Sequence, residues 1–264
     1  MDVHAYLERI AFPGVPATDL SSLAALQRAH LGSVPFENLH VFHHREVRVD
    51  TAWSVSTVLS GRGGWCFELN GAFSSLLSEI GFAVDRVSAS VLLGGGSTQG
   101  PDHLALIVHL DQPYLVDVGF GASFTRPIAI DSQEEVSEEH GSYRVHALGD
   151  GQYLLRFCGT DESEFSDLYR FDTAPVALSA FSKRSHYLAN EPALKWSQSP
   201  FATRLIPGGR VTLLRDRIKL RRGGEEVVSP GLVDDQRSFF WVFKASAVMT
   251  ALARTGAVSS SVRR

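Results

Sequence analysis

Cysteine is scarce in this sequence. Only Cys66 and Cys158 occur in 264 residues. Two cysteines are too few for a disulfide framework or for a zinc site built from cysteines. A cysteine that matters here is therefore expected to act through its chemistry and not through cross-linking.

An excess of basic charge is also absent, because 25 Lys and Arg stand against 29 Asp and Glu, with a formal net charge of -4. This balance argues against nucleic acid as a main partner. No apolar run approaches the roughly 18 residues that cross a bilayer. The first ten residues carry Asp2, Glu8 and Arg9 where a signal peptide would have an apolar core. We therefore expect no membrane partner and a cytoplasmic location.

The spacing of apolar residues changes near residue 82. Before this point it is helical: Thr18 or Asp19 can cap a helix, and the apolar positions of 69–80 form one helical face that Gly81 closes. After it, residues 103–110 alternate between apolar and other side chains, as strands do. The sequence therefore predicts a helical first third followed by a β-rich middle domain.

The segment 62–70, RGGWCFELN, is the most informative stretch. Gly63 and Gly64 free the backbone for an unusual turn immediately before Cys66, which would begin a helix. The positive end of a helix dipole favours thiolate over thiol, and the thiolate is a nucleophile. A lone cysteine can equally be a small buried apolar residue, so a nucleophile needs support from other residues.

His103 and Asp117 could complete a catalytic triad with Cys66. His103 stands at the start of an apolar strand and can act as a base. Asp117 lies in the apolar segment 114–121, where an unpaired buried carboxylate would be costly. Asp117 would fix the tautomer of His103, and His103 would hold or take the proton of Cys66.

The expected strand register does not place these residues together directly. A hairpin centred near Gln112 puts His103 opposite a residue near Gly121. Asp117 is then about four positions away, or roughly 13 Å at 3.3 Å per residue. A bulge, an earlier turn or a bent strand start is required to bring His103 and Asp117 into contact.

Four segments together resemble the arylamine N-acetyltransferase family. They are RGGWCFELN at 62–70, VPFENL at 34–39, VDVGFG at 116–121 and the HLAL segment that begins at His103. The order of cysteine, histidine and aspartate also fits the family, as do the spacings of 37 residues (66 to 103) and 14 residues (103 to 117).

The resemblance implies an α+β architecture with a helical bundle, a β-barrel domain, a C-terminal α/β lid and a triad arranged as in cysteine proteases. The domains are expected at 1–82 for the bundle that carries the cysteine and at 83–205 for the barrel that carries histidine and aspartate. Residues 206–264 are expected to form the lid and a C-terminal helix, with Asp234 as a possible cap.

The resemblance also implies the reaction and the roles of the triad. Cys66, assisted by His103 and Asp117, would attack acetyl-CoA, and an aromatic amine or hydrazine would then take the acetyl group in a ping-pong mechanism. Acetyl-CoA is a co-substrate in this scheme, and no permanently bound cofactor is expected.

Substrate contacts follow from the same resemblance. Phe36 and Phe120 would line the acceptor pocket, and Arg62 would pair with Glu37 to brace the cysteine loop. The arginines that could meet CoA phosphates are Arg184, Arg204 and Arg210, although solvated surface charge is the commoner role of such residues.

Two other reactions can use a Cys-His-Asp triad of the same kind. An amide synthase on this scaffold would close a macrolactam from a carrier-bound acyl thioester and would not turn over acetyl-CoA. A papain-like or transglutaminase-like hydrolase would release the acyl group to water.

A metal site is not expected. His40 and His44 have the i, i+4 spacing of a helical metal pair, but no glutamate lies between them and no third ligand is evident.

Overall fold

Helices occupy the N-terminal part of the chain in the computed structural model, which describes residues 1–43, 46–92, 100–121, 124–194, 198–222 and 225–230. The helices are α1 Val3–Arg9, α2 Leu20–Ser33, α3 Leu39–Phe42, α4 Thr51–Leu59 and α5 Cys66–Ile80, with α6 Ser182–Asn190 later in the chain. Among the described residues, no helix has both the length and the apolar content to span a bilayer.

Aspartate side chains start three of these helices. Each accepts a hydrogen bond from the backbone N–H three residues further on, in the pairs Asp2 with Ala5, Asp19 with Ser22 and Asp50 with Trp53. Gly81 ends α5 with φ of 112°, a left-handed conformation that glycine adopts without strain. The cap at Asp19 and the stop at Gly81 are as the sequence predicts.

Eight antiparallel strands form the larger sheet, in the order β5-β4-β3-β2-β9-β8-β7-β6. Their bounds are β2 Ala83–Val91, β3 His103–His109, β4 Pro113–Val116, β5 Ile128–Ala129, β6 Val136–Glu138, β7 Gly141–Gly149, β8 Gln152–Gly159 and β9 Ser166–Pro175. The sheet curls until β5 at one edge approaches β7 near the other, which makes a nearly closed barrel.

Strand β3 is buried on both faces. Ala105 and Ile107 point into the barrel core, whereas Leu106 and Val108 pack on the helices. The alternation in 103–110 is therefore not that of a half-solvated strand, because helix α5 covers the outer face of β3.

A second sheet joins the segment after α2 to the C-terminal part of the described chain. Its order is β1-β10-β11-β12-β13, with β1 at Phe36–Glu37, β10 at Phe201–Ile206, β11 at Gly209–Leu214, β12 at Arg217–Arg222 and β13 at Glu225–Pro230. Phe36 pairs with Thr203, and Glu37 pairs with Ala202. The N-terminal segment before the cysteine loop is thus fixed to the C-terminal sheet.

The α+β class predicted from the sequence is confirmed by this arrangement of helices, barrel and second sheet. The domain bounds at 82 and 205 stay a prediction, and strand β10 runs through the second of them. The helix predicted after Asp234 lies outside the described residues.

Candidate active site

Cys66 is the first residue of α5. The loop before it is held by β1, because the Glu37 N–H donates to the Gly64 carbonyl (2.9 Å) and the Gly64 N–H donates to the Pro35 carbonyl (3.4 Å). A Cβ at Gly63 would collide with the same Pro35 carbonyl, so that position requires glycine. The Cys66 side chain is almost buried, at 7% exposure, and its Sγ lies 3.9 Å from the Asp102 carbonyl oxygen.

His103 and Asp117 are in direct contact. His103 Nε2 lies 2.7 Å from Asp117 Oδ2, and both side chains are buried. In the β3–β4 pair, His109 is opposite Pro113, so the hairpin is centred on Asp111 and not on Gln112. The predicted hairpin centre was one residue too late, which displaced the predicted cross-strand pairing by two residues. An earlier turn is one of the three arrangements that the sequence analysis allowed for this contact. The same register, continued past β4, makes Asp117 the diagonal neighbour of His103 on one face of the sheet.

The Asp117 carboxylate accepts three further hydrogen bonds. Asn70 Nδ2 (2.9 Å) and the Gly119 N–H (2.8 Å) donate to Oδ1, and the Tyr169 hydroxyl donates to Oδ2 (3.1 Å). These donors satisfy a charge that would otherwise be costly to bury, and they fix the carboxylate against His103.

Two residues that hold Asp117, Asn70 and Tyr169, were not predicted from the sequence. Asn70 follows Cys66 by four residues, and this spacing places both side chains on one face of α5. It also donates to the Leu104 carbonyl (2.6 Å) and accepts from the Val118 N–H (3.0 Å). The Asn70 spacing was thus a readable signal, whereas nothing in the sequence singles out Tyr169.

Gly119 allows the Asp117 segment to approach the cysteine helix. A Cβ at this position would lie 2.6 Å from Cys66 Cα and 2.8 Å from Asn70 Nδ2. Only glycine permits this separation of the two backbones, so Gly119 sets how close Cys66 can come to the His103–Asp117 pair.

The electrostatics of the site favour a protonated His103. Burial alone would lower the pKa of His103, but the Asp117 charge and the hydrogen bonds to Asp117 and Cys66 outweigh it and raise that pKa to about 10. The imidazole therefore keeps its proton at neutral pH, beside the cysteine sulfur.

Two buried carboxyl groups lie behind the cysteine loop. Burial raises the pKa of Glu37, although N–H groups of Leu39 and Gly63 and the charge of Arg62 counteract it. Burial and the nearby Glu37 raise the pKa of Glu68 to about 8. Arg62 is thus within electrostatic range of Glu37, and the predicted pairing of these two residues remains a proposal.

Phe120 lies on the His103 ring, whereas Phe36 lies beside the cysteine loop, where it forms a β-bridge with Gly64. The Phe120 ring centroid is 5.3 Å from the His103 ring and 5.1 Å from the Tyr169 ring. Phe36 packs against the Phe201 ring at 5.6 Å and against the backbone of Gly121, the residue after Phe120. Both side chains are half-buried.

Among the described residues, no group of three or more His, Cys, Asp or Glu side chains is arranged to hold a metal ion. His40 is buried next to Trp53, with ring centroids 5.9 Å apart. His44, the other member of the spacing seen in the sequence, lies outside the described residues.

A thiol at a helix start lies beside an imidazole that contacts a buried carboxylate. This arrangement is typical of enzymes that form an acyl-cysteine intermediate. A protein-family model described as N-acetyltransferase matches residues 19–240. The chain belongs to this family, and it is an acyltransferase.

Similarity to individual proteins supports this family assignment. The arylamine N-acetyltransferase of Escherichia coli (strain K12) is 32% identical and covers 87% of this chain and 82% of its own length. The proansamycin X synthase of Amycolatopsis mediterranei (strain S699) is 30% identical, with 89% of this chain and 93% of its own covered. The solved arylamine N-acetyltransferase of Salmonella typhimurium has a TM-score of 0.82 and 28% identity, with 92% of this chain and 89% of its own covered. The resemblance found in the sequence is confirmed.

Proposed function

We propose that this protein is an acetyl-CoA-dependent arylamine N-acetyltransferase that also accepts hydrazines and works through an acetyl-Cys66 thioester. The observation that carries the proposal is the contact of Asp117 with His103 Nε2, which leaves Nδ1 of the imidazole for Cys66. Cys66, His103 and Asp117 are the proposed catalytic residues.

In the first half-reaction, the Cys66 sulfur attacks the acetyl carbonyl carbon of acetyl-CoA. The carbonyl electron pair moves to oxygen, and a backbone N–H near Cys66 at the start of α5 would stabilise the oxyanion. When the tetrahedral intermediate collapses, the bond to the CoA sulfur breaks. The imidazolium of His103 supplies the proton to the leaving thiolate.

In the second half-reaction, the amine nitrogen attacks the acetyl-Cys66 carbonyl. His103, now neutral, takes the proton from the attacking nitrogen, and the Cys66 thiolate leaves with the electron pair of the broken C–S bond. Free enzyme is restored with His103 protonated. An aromatic amine suits this step because its low proton affinity keeps it neutral and nucleophilic at pH 7.

The acceptor is proposed to bind between Phe36 and Phe120. The Phe120 ring lies on His103, Phe36 contacts Gly121 next to Phe120, and flat aromatic acceptors stack well on aromatic walls, which supports this proposal. Arg62 and Glu37 are proposed to brace the loop that presents Cys66.

A macrolactam-forming amide synthase is the second candidate, favoured by the similarity to proansamycin X synthase over most of both chains. It would use the same acyl-cysteine but a larger donor and acceptor. A cysteine hydrolase with the same triad is the third candidate, and it would transfer the acyl group to water.

Intact-mass spectrometry tests these three functions. The protein is mixed with acetyl-CoA, with and without an aniline or a hydrazine, and peptide mapping locates any adduct. The acetyltransferase predicts one acetyl group on Cys66 that the amine discharges. The variant Cys66→Ser should form no thioester, and Cys158→Ser is the matched control that should behave as the wild type.

The other outcomes separate the alternatives. An adduct only from a long-chain acyl thioester supports the amide synthase. Discharge at the same rate with and without amine supports a hydrolase. Acetylation of Cys158 alone, or of neither cysteine by any thioester, would contradict the proposed mechanism.

We also propose a cytoplasmic location, which agrees with two cysteines that are both free. The division into 1–82, 83–205 and 206–264 is likewise proposed as the domain organisation.

A further inference from the structure

A cleft of about 860 Å³ opens between α2, the β6–β7 corner of the barrel and strands β10–β13. Its lining contains none of the proposed catalytic residues. Its basic residues are Arg28, Arg126, Arg210, Lys219, Arg221 and Arg222, and its acidic residues are Glu138, Glu139 and Glu226. The cleft thus has an excess of positive charge in a chain whose net charge is -4.

The strand register explains why basic side chains gather here. Arg210 is opposite Arg221, and Thr212 is opposite Lys219. Cross-strand partners share a face, and residues two apart on a strand do so as well. These four side chains therefore lie on one face of the second sheet, which is the face that lines the cleft.

Two of the carboxylates in the cleft already have partners. Glu226 accepts from Lys219 (3.2 Å) and from Arg221 (3.3 Å). Glu138 Oε1 accepts from the Thr125 hydroxyl at 3.0 Å.

Arg210 has an N–H group that lacks an acceptor. Its Nη1 donates to the Gly121 carbonyl, but its Nη2 is buried without a hydrogen-bond partner in the part of the chain that the structure describes. Burial also lowers the pKa of Arg210. A buried guanidinium N–H without an acceptor is costly, so an anion that supplies one would bind favourably.

We propose that this cleft binds a phosphate group, with Arg210 as its buried anchor and Arg221 as a second contact. Guanidinium groups match phosphate oxygens in bidentate geometry, and arginine is the residue of choice for such recognition.

The proposed phosphate site in the cleft is connected to the triad through Gly121 and Phe120. Gly121, which receives Arg210 Nη1, follows Phe120, whose ring lies on His103. The inference rests on the proposed function, because the nucleotide end of acetyl-CoA is one source of such a phosphate. Free inorganic phosphate is the other source.

The test compares two donors and two anions. Cys66 acetylation is timed with acetyl-CoA and with acetyl-pantetheine, which lacks the nucleotide phosphates. The melting temperature is measured with inorganic phosphate and with chloride at equal ionic strength. The variants are Arg210→Gln, Arg221→Gln and, as the matched control on the same strand but outside the cleft, Arg217→Gln.

If the nucleotide phosphates bind here, Arg210→Gln and Arg221→Gln slow acetylation by sub-saturating acetyl-CoA about tenfold each. Acetylation by acetyl-pantetheine stays as in the wild type, and Arg217→Gln changes neither reaction. If free phosphate is the ligand, the two donors react equally, but phosphate raises the wild-type melting temperature and both cleft variants lose this effect.

The inference is overturned if the cleft variants alter neither donor preference nor stabilisation by phosphate, or if Arg217→Gln has the same effects. It is also overturned if Arg210→Gln slows both donors equally while Arg221→Gln changes nothing, because Arg210 would then only support Gly121. Failure of the proposed acetyltransferase function gives a different result from failure of this inference. In that case acetyl-pantetheine leaves Cys66 unmodified, whereas stabilisation by phosphate can still be measured.

Discussion

His103 and Asp117 are diagonal neighbours across the start of a strand pair, with 2.7 Å between Nε2 and Oδ2. Because the hairpin turns one residue earlier than its sequence suggests, the two side chains share a face of the barrel and meet at its end. This contact orients the imidazole and raises its pKa.

Asp117→Asn should abolish most of the activity without unfolding the protein. Loss of the charge lowers the pKa of His103, and an amide no longer enforces the tautomer needed for proton transfer. We expect Cys66 acetylation to slow by about 10³- to 10⁴-fold, measured by stopped-flow or quenched mass spectrometry. The surface variant Asp167→Asn is the control, and a rate for Asp117→Asn near that of the wild type would refute the role of this residue.

Asn70→Ala should lower both stability and activity. Removal of the amide leaves the Leu104 carbonyl and the Val118 N–H without this partner in the core, and Asp117 Oδ1 loses one of its donors. At about 1–3 kcal/mol for each buried polar group left unpaired, we expect a loss of roughly 3 kcal/mol or more in the free energy of unfolding. Urea denaturation measures this loss. Asn190→Ala, on the exposed end of α6, should change it by less than about 0.5 kcal/mol, and equal effects of the two variants would contradict the prediction.

Gly119→Ala should disable the site by a steric effect. The new methyl group would lie 2.6 Å from Cys66 Cα, so the backbone of α5 or of the Asp117 segment must move. A displacement of about 1 Å can cost 10²-fold in rate, and we expect at least that loss in Cys66 acetylation. Gly32→Ala is the matched control, because nothing lies within 4 Å of its Cβ. It should be fully active and slightly more stable, and full activity of Gly119→Ala would disprove the proposed packing.

Glu68 should make stability depend on pH. The pKa of Glu68 is about 8 in the folded protein, compared with 4.5 for an unperturbed carboxyl group. Between these values the folded state binds more protons than the unfolded state, so the free energy of unfolding falls as pH rises through this window. Glu68→Gln, which keeps an acceptor for the Trp65 N–H, should flatten that fall in urea denaturation series. The exposed variant Glu225→Gln should retain the wild-type slope, and an unchanged slope in Glu68→Gln would exclude this origin.

Predictions from the sequence succeeded where the determinants are local. Asp19 and Gly81 act on their own helices through hydrogen bonds and φ angles that involve only neighbouring residues. The predicted pairing of β3 with β4 was displaced by two residues because the segment 110–113 allows a turn at more than one position. Only packing on α5 and on the barrel core selects one of these positions.

The sequence by itself determined the α+β class, the helix start at Cys66 and the family of the protein. These follow from periodicity, caps and short motifs, which reside in contiguous residues. The tertiary structure alone decided that Tyr169 holds Asp117 from 52 residues away and that Arg210, in the basic cleft, donates to the Gly121 carbonyl. Such contacts depend on how distant strands pair, and the free energy that selects this pairing comes from burial of the whole core and not from any one segment.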